Sequence, residues 1–197
     1  MFRKKSKLTF HQKKTIFTPK LFREIFSWIS VTVLSIVLAF VFVFAFGMQV
    51  KVIGDSMEPS AYNGQTVLVN KLIFKIFGPS NGDIVVFLPN GNTNSHFYVK
   101  RVVAVPGDKV QIIDGSLYIN GTIQDKDDEE YDKMEDAGIA ANEIKLKSGE
   151  YFVLGDNRNS SEDSRSANIG IVKTSMMVGK VWYKMGIGDH KGGIVLN

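Results

Sequence analysis

The apolar positions of this 197-residue chain fall into one long run followed by many short ones. Residues 25–46 form a run of 22 positions without a charged side chain. As a helix rising ~1.5 Å per residue, the run would span about 33 Å, close to the ~30 Å hydrocarbon thickness of a bilayer. A core helix usually keeps a polar face, and the apolar part of a cleaved secretory signal is usually about 7–15 residues long. The pattern therefore predicts a retained transmembrane anchor over residues 25–47.

Charge is distributed unevenly on the two sides of this run. Residues 1–24 contain eight Lys/Arg and one Glu and so carry +7; the whole chain is +4, so the remainder carries −3. Basic residues beside a span stay in the cytoplasm. We therefore expect 1–24 to be a basic cytoplasmic tail and 48–197 to be an extracytoplasmic domain of a single-pass membrane protein. The basic residues are confined to the tail without an aromatic-interleaved basic face, which argues against nucleic-acid binding.

Beyond residue 48 the chain alternates short apolar segments with Gly, Pro, Asn and Asp. The segments are rich in Val, Ile, Tyr and Phe, which is typical of strands. Strands are predicted over 50–53, 66–70, 83–88, 97–105, 109–113, 117–119, 151–154 and 178–183. Asp114-Gly115 predicts a tight hairpin turn, and residues 136–147 could hold one short helix. The pattern indicates a mainly β domain of folded antiparallel sheets, similar to a barrel.

Metal and disulfide chemistry find little support in the composition. The chain has no cysteine, which excludes disulfide scaffolds, zinc fingers and thiol proteases. The acidic segment 125–136 holds eight carboxylates and could be a calcium loop or a solvated loop. It lacks the glycine and terminal glutamate of the EF-hand pattern, which favours the solvated loop. We expect no metal and no cofactor.

Two polar segments, 54–60 and 155–165, each follow a predicted strand and could carry chemistry. Ser56 lies in the first, but a serine hydroxyl needs a base before it is an effective nucleophile. His96, His190 and Lys100 are the candidate bases, since His11 lies in the basic tail. Burial among valines would lower the pKa of the Lys100 amine and so make it a usable base. The Gly-Asp-Ser lipase and G-x-S-x-G patterns both fail here, and the residues alone leave the base open.

Taken in order, these segments resemble the type I signal peptidases, membrane-bound Ser/Lys proteases that remove leader peptides. The matching blocks are GDSMEPS at 54–60, GDIVVF at 82–87, YVKR at 98–101 continuing to PGD at 106–108, and residues 155–165. The resemblance implies that Ser56 is the nucleophile and Lys100 the general base. It also implies that the Ser161 hydroxyl orients the lysine and that Asp163 and Arg165 brace the site. Some relatives place a second oxyanion donor, a serine, two residues before the nucleophile, where this chain has Gly54.

The resemblance further implies what the enzyme acts on. Its substrates would be signal-peptide-bearing preproteins at the lipid bilayer, added as an extended strand beside residues 50–53. Small substrate side chains would enter shallow pockets walled by Ile53, Met57, Val86 and Phe87. The main alternative is a membrane-tethered, non-catalytic relative that binds or assists the assembly of exported surface proteins. An esterase and a self-cleaving repressor-type protease fit the sequence less well.

Overall fold

The computed structural model describes residues 19–92, 95–124 and 131–195. Most of the basic tail and the first half of the acidic segment lie outside these ranges, and so do the predictions that concern them. The chain consists of two compact units, one ending at residue 41 and one covering residues 42–197.

The first element is one long apolar helix, α1, over Pro19–Phe46. Its opening proline suits the first turn, where an N–H would have no helical partner. Ser30 and Thr32 donate their hydroxyls to the carbonyls four residues earlier, which hides these polar groups within the helix. Within the described residues it alone is long and apolar enough to cross a membrane, with a mean hydropathy of 2.8 over its most apolar window. The helix starts before the predicted anchor because the flanking charged residues remain helical.

The described residues after α1 form mainly β-structure with one short α-helix. The strands are β1 Met48–Lys51, β2 Thr66–Asn70, β3 Ile84–Phe87, β4 Tyr98–Ala104, β5 Lys109–Ile113, β6 Ser116–Ile119, β7 Thr122–Ile123, β8 Ile144–Lys145, β9 Glu150–Leu154, β10 Val172–Lys173, β11 Met177–Lys184 and β12 Gly193–Ile194. The helix α2 spans Leu72–Phe77 between β2 and β3, and 3₁₀ turns occupy Pro89–Gly91, Gly138–Ala141 and Thr174–Met176.

These strands form two antiparallel sheets, as the sequence predicted. The larger has the order β1-β2-β11-β3-β4-β9-β10, with β12 paired to β11, and the smaller has the order β7-β6-β5-β8. The predicted hairpin joins β5 to β6, where Asp114 and Gly115 both adopt positive φ as a type I′ turn requires. Three clusters of buried apolar side chains lie on the faces of these sheets. β4 lies between β3 and β9 and so is buried along most of its length.

The segment 136–147 does not form the short helix that its sequence allowed. It forms the Gly138–Ala141 turn and then strand β8. Gly138 has a φ of +51°, and a Cβ there would lie 2.2 Å from the Arg165 carbonyl oxygen. A regular helix is therefore interrupted near its start by the close approach of the 155–165 segment.

Candidate active site

Ser56 lies in a turn that leaves the edge strand β1. The turn begins at Gly54, whose φ is +79° and whose N–H donates to Asn63 Oδ1 at 3.1 Å. The next residue after the serine, Met57, has no exposed surface and packs in the core beneath the turn. The Ser56 carbonyl accepts the N–H of Asn157 at 3.1 Å, which ties this turn to the segment 155–165. The two polar segments singled out in the sequence therefore meet.

Lys100 reaches Ser56 from the middle of β4. The residue pairs with Val85 of β3 and is only 3% exposed. Its Nζ lies 2.5 Å from Ser56 Oγ, within hydrogen-bond distance. Of the three candidate bases that the sequence left open, only Lys100 contacts Ser56 by a hydrogen bond in the described part of the chain. His190 instead stacks on Tyr62, with 3.5 Å between the ring centroids.

Burial lowers the pKa of Lys100 from 10.5 to about 8. The carboxylates of Asp163, Asp156 and Glu162 act in the opposite direction, because negative charges favour the ammonium form. The Arg165 guanidinium adds a smaller lowering effect to that of burial. Loss of hydration outweighs the carboxylates, so a substantial fraction of the amine is neutral in weakly alkaline solution.

Arg101, the neighbour of Lys100, connects three segments around the site. Its Nε and Nη2 bind the two carboxylate oxygens of Asp156 at 2.8 and 2.7 Å. Its Nη1 donates to the Gly82 carbonyl at 2.8 Å, and its Nη2 donates to Ser60 Oγ at 3.0 Å. This bidentate pair fixes the start of the 155–165 segment to β4 and to the turn that carries the serine.

Asp163 and Arg165 form a buried ion pair, and their role in bracing the site stays a prediction. Asp163 is 1% exposed, and its oxygens accept from Arg165 Nε and Nη2, both at 2.9 Å. Asp163 also accepts the N–H of Gly155 at 3.1 Å, and Arg165 donates to the carbonyls of Asp136 and Arg158. The polar loop thus satisfies its buried groups mainly within itself, as a buried loop must.

Ser161 lies beside the site, next to Gly155. Its hydroxyl oxygen is buried and lacks a hydrogen-bond partner among the described residues. A Cβ placed on Gly155 would be 2.2 Å from Ser161 Oγ and 2.5 Å from the Ser56 carbonyl oxygen. Ser161 and Ser56 therefore converge on Gly155, where only hydrogen fits. Its role in orienting Lys100 stays a prediction.

A cleft of about 370 Å³ opens over Ser56 and Lys100. It is lined by Val52, Ile53, Gly54, Asp55, Ser56, His96, Phe97, Tyr98, Val99, Lys100, Ser160 and Glu162. Ile53 is 61% exposed and lies on the predicted wall. Met57, Val86 and Phe87 do not line the cleft, because their side chains point into the core and have no exposed surface. The apolar wall comes instead from the residues around Ile53 and from the start of β4.

Tyr98 and Glu162 also line this cleft, although the sequence alone assigns neither of them an individual role. The Tyr98 hydroxyl donates to Glu162 Oε2 at 3.1 Å, and Lys100 Nζ lies 5.9 Å from the centroid of the Tyr98 ring. Partial burial and the Glu162 carboxylate raise the pKa of Tyr98. Tyr98 lies two residues before Lys100, so strand alternation could have placed both side chains on one face. No such periodic signal marks Glu162.

Comparison with known proteins identifies the relatives of this chain. The family model for signal peptidase, peptidase S26, matches residues 25–185. Signal peptidase IB of Staphylococcus aureus (strain COL) is 36% identical over 180 residues, covering 82% of this chain and 90% of that protein. Signal peptidase I T of Bacillus subtilis (strain 168) is 37% identical over 135 residues, covering 64% of this chain and 67% of that protein.

Among solved structures, a signal peptidase I from Enterococcus faecalis V583 is similar at 30% identity. The alignment covers 52% of this chain and 95% of that one, with a TM-score of 0.39. The family assignment rests on the sequence matches, which show that the protein is a hydrolase of the serine peptidase class. The chain belongs to the signal peptidase family, peptidase S26.

Proposed function

We propose that this protein is a membrane-bound endopeptidase that removes amino-terminal signal peptides from exported preproteins through a Ser56–Lys100 dyad. The observation that carries the proposal is the 2.5 Å contact between Ser56 Oγ and the Nζ of a buried lysine. A hydroxyl in contact with an amine that is partly neutral near pH 8 has the base that a serine nucleophile requires. The signal peptidases among the relatives support the choice of substrate.

The proposed reaction has two stages. In the first, Ser56 Oγ bonds to the scissile carbonyl carbon while its proton moves to Lys100 Nζ. The tetrahedral adduct then collapses, the C–N bond breaks, and the Lys100 ammonium protonates the leaving amine. In the second, Lys100 takes a proton from water, the resulting hydroxide attacks the Ser56 ester, and the proton returns to Oγ as the acyl group leaves. Both stages conserve protons and need no cofactor.

Charge on the oxyanion would be stabilised by backbone donors. The Ser56 N–H is the first, as the resemblance implies. Gly54 supplies no hydroxyl for the second position, and its own N–H is already bonded to Asn63. A water molecule or another N–H in the cleft would complete the oxyanion hole; loss of one such donor costs about 2.7–4 kcal/mol in other serine hydrolases.

The shape of the cleft suits an extended peptide. The cleft runs between the residues that follow β1 and the first residues of β4, and β1 is an edge strand of the larger sheet. A substrate strand added at such an edge gains main-chain hydrogen bonds and places alternate side chains on the cleft wall. Ile53 and Phe97 would give that wall its apolar character, which suits small uncharged side chains.

We further propose that α1 crosses the membrane with its amino end in the cytoplasm. The eight basic residues of 1–24 support this orientation by the positive-inside rule. Ser56 lies ten residues beyond the end of the helix at Phe46, so the site would face the outer surface. A signal peptide held in the same bilayer would then meet the site at a raised effective concentration.

The test is cleavage of a secreted precursor by the purified full-length protein in detergent, followed by sequencing of the new amino terminus. Ser56→Ala and Lys100→Ala should each abolish cleavage, because each removes one partner of the proton transfer. The matched controls Ser148→Ala and Lys147→Ala change exposed residues of a turn and should cleave as the unaltered protein does. Full activity in either dyad variant would overturn the mechanism, and no cleavage by the unaltered protein would favour the non-catalytic relative.

A further inference from the structure

The cleft over the dyad has one apolar side and one polar side. Along the chain that enters β4, Phe97 and Val99 alternate with Tyr98, so they face the opposite way from its ring. Phe97 and Val99 pack with the apolar cluster that holds Val52, whereas Tyr98 packs against a different cluster. The apolar side therefore continues the edge of the larger sheet beyond β1, and Tyr98 forms the polar side together with the segment 155–165.

Glu162 places a fixed negative charge on this polar side. Its carboxylate accepts the Tyr98 hydroxyl at 3.1 Å through Oε2 and the side-chain amide of Asn168 at 3.4 Å through Oε1. These two donors are neutral, so they hold the carboxylate in one direction and do not cancel its charge. Glu162 is also exposed and lines the cleft. A peptide bound in the cleft can therefore reach this charge.

The described lining of the cleft carries an excess of negative charge. It holds the exposed carboxylates of Asp55 and Glu162 against the amine of Lys100, which is only 3% exposed. His96, counted as neutral, stacks on the Tyr98 ring with 4.8 Å between the centroids. The field of Glu162 reaches the reaction centre, since it favours the ammonium form of Lys100. A charged side chain of a peptide held in the same cleft would experience the same field.

We propose that Glu162 selects preproteins with a basic residue at the first or second position after the cut and disfavours an acidic residue there. The inference rests on the proposed function and names the charge class of its substrates. Residues before the scissile bond occupy the apolar side, because that side continues the sheet edge to which the substrate strand adds. Residues after the scissile bond then pass Ser56 and lie against the polar side, where Glu162 is held.

The selection acts in the first stage of the reaction. A lysine or arginine beside Glu162 is attracted to its carboxylate, and a glutamate or aspartate in the same place is repelled. The residues after the cut leave with the amine when the acyl group is transferred to Ser56. Their charge therefore affects the formation of the acyl-enzyme and has no effect on its hydrolysis. The effect should appear in kcat/KM, which reports the transition state of the first stage relative to free enzyme and substrate.

The experiment compares matched forms of one secreted precursor, cut by the full-length protein in neutral detergent. Lys, Gln or Glu occupies the first or the second position after the cut, and kcat/KM is measured for each form at one alkaline pH and low salt. The result for each enzyme is the ratio of kcat/KM for the Lys form to kcat/KM for the Glu form. A change in the pKa of Lys100 affects both forms equally and cancels in this ratio.

Three variants of the enzyme separate charge from structure. Glu162→Gln removes the charge and keeps an acceptor for the Tyr98 hydroxyl, and Glu162→Lys reverses the charge. Glu143→Lys is the matched control, because it changes the net charge equally at an exposed residue that pairs with Lys109 of β5. A structural role of Glu162 alone would change kcat/KM for all forms of the precursor by the same factor and leave the ratio unaltered.

The unaltered protein should prefer the Lys form by about tenfold at one of the two positions, since an exposed attraction and an exposed repulsion are each worth roughly threefold. The ratio should fall toward one in Glu162→Gln, fall below one in Glu162→Lys and keep its value in Glu143→Lys. High salt should also lower it, because salt screens exposed charges. Cleavage of all forms with a ratio near one, or a ratio that Glu162→Lys does not change, would overturn this inference alone. No cleavage of any form would overturn the proposed function and this inference with it.

Discussion

The Lys100 side chain combines two properties that usually exclude each other, burial and ionisability. Its amine contacts the Ser56 hydroxyl at 2.5 Å with 3% of the residue exposed. Three carboxylates partly restore the charged form, and burial outweighs them. The pKa that results, about 8, is low enough for the amine to accept a proton and high enough for it to return one. At the residue scale, reactivity is thus a balance between desolvation and nearby charge.

Substitution of Glu162 should change the pKa of Lys100 while leaving Ser56 and Lys100 themselves unaltered. Glu162→Gln removes a negative charge that favours the ammonium, so the pKa of Lys100 should fall. Because the neutral amine is the active form, the acid limb of the kcat/KM profile should move to lower pH. Glu143→Gln, an exposed carboxylate paired with Lys109, is the control. A limb that stays in place, or moves to higher pH, would show that Glu162 does not act on Lys100.

Residue-level prediction from sequence succeeded where a motif fixes a position and failed where a side chain's direction matters. The blocks around Ser56 and Lys100 selected the two groups that the fold brings into contact. Met57 follows Ser56 directly, yet it points into the core, and the turn geometry that decides this has no periodic pattern. Glu162 reaches the cleft only because the whole 155–165 loop folds back.

At the scale of elements, this loop is held by buried charges more than by apolar packing. Asp163 accepts hydrogen bonds from Arg165 and from the Gly155 N–H, and Asp156 binds Arg101. Buried pairs of this kind contribute little net stability relative to apolar substitutes, but removal of one partner leaves a charge without compensation. We infer that the loop depends on the pair for its conformation.

Asp163→Ala should therefore lower the free energy of unfolding by about 3–5 kcal/mol, because the buried Arg165 loses its carboxylate partner. Denaturant unfolding in detergent, monitored by tryptophan fluorescence, measures the change. Asp189→Ala, at an exposed position near the carboxyl end, should have little effect. A loss below about 1 kcal/mol, the size expected of a surface ion pair, would contradict the role of this brace.

The longer elements could be predicted from sequence, and the shortest could not. β2 and β5 have the predicted bounds, since their β-branched residues lie between clear turn signals. Strands β7, β8, β10 and β12 have two residues each and exist only through their pairing partners. The six residues of α2 are nearly all apolar, and so short a run does not distinguish a helix from a strand.

At the scale of the whole molecule, the buried amine should reduce stability at neutral pH. In the unfolded chain Lys100 has a pKa near 10.5, and in the folded chain about 8. Between these values the unfolded state binds more protons, so stability rises with pH across this window. This difference in the pKa of Lys100 lowers the free energy of unfolding by roughly 3 kcal/mol, and the full loss applies below about pH 8.

Lys100→Met should thus be more stable than the unaltered protein at pH 7, by up to about 3 kcal/mol. This difference in the free energy of unfolding should narrow as the pH rises from about 8 toward 10.5. Denaturant unfolding at a series of pH values measures it, with Lys147→Met as an exposed control. If the free energy of unfolding depends on pH equally in the Lys100→Met variant and the unaltered protein, the Lys100 amine is hydrated in the folded state.

If the neutral Lys100 amine takes the proton of Ser56, the rate of acylation depends on the protonation state of that amine. The measurement is the single-turnover rate of acyl-enzyme formation on Ser56, followed by mass spectrometry of the quenched protein. The rate should rise about tenfold per pH unit in acid and level off above an apparent pKa of about 8. A rate independent of pH across this range, or an acid limb that disappears when His96 is replaced, would show that Lys100 is not the base.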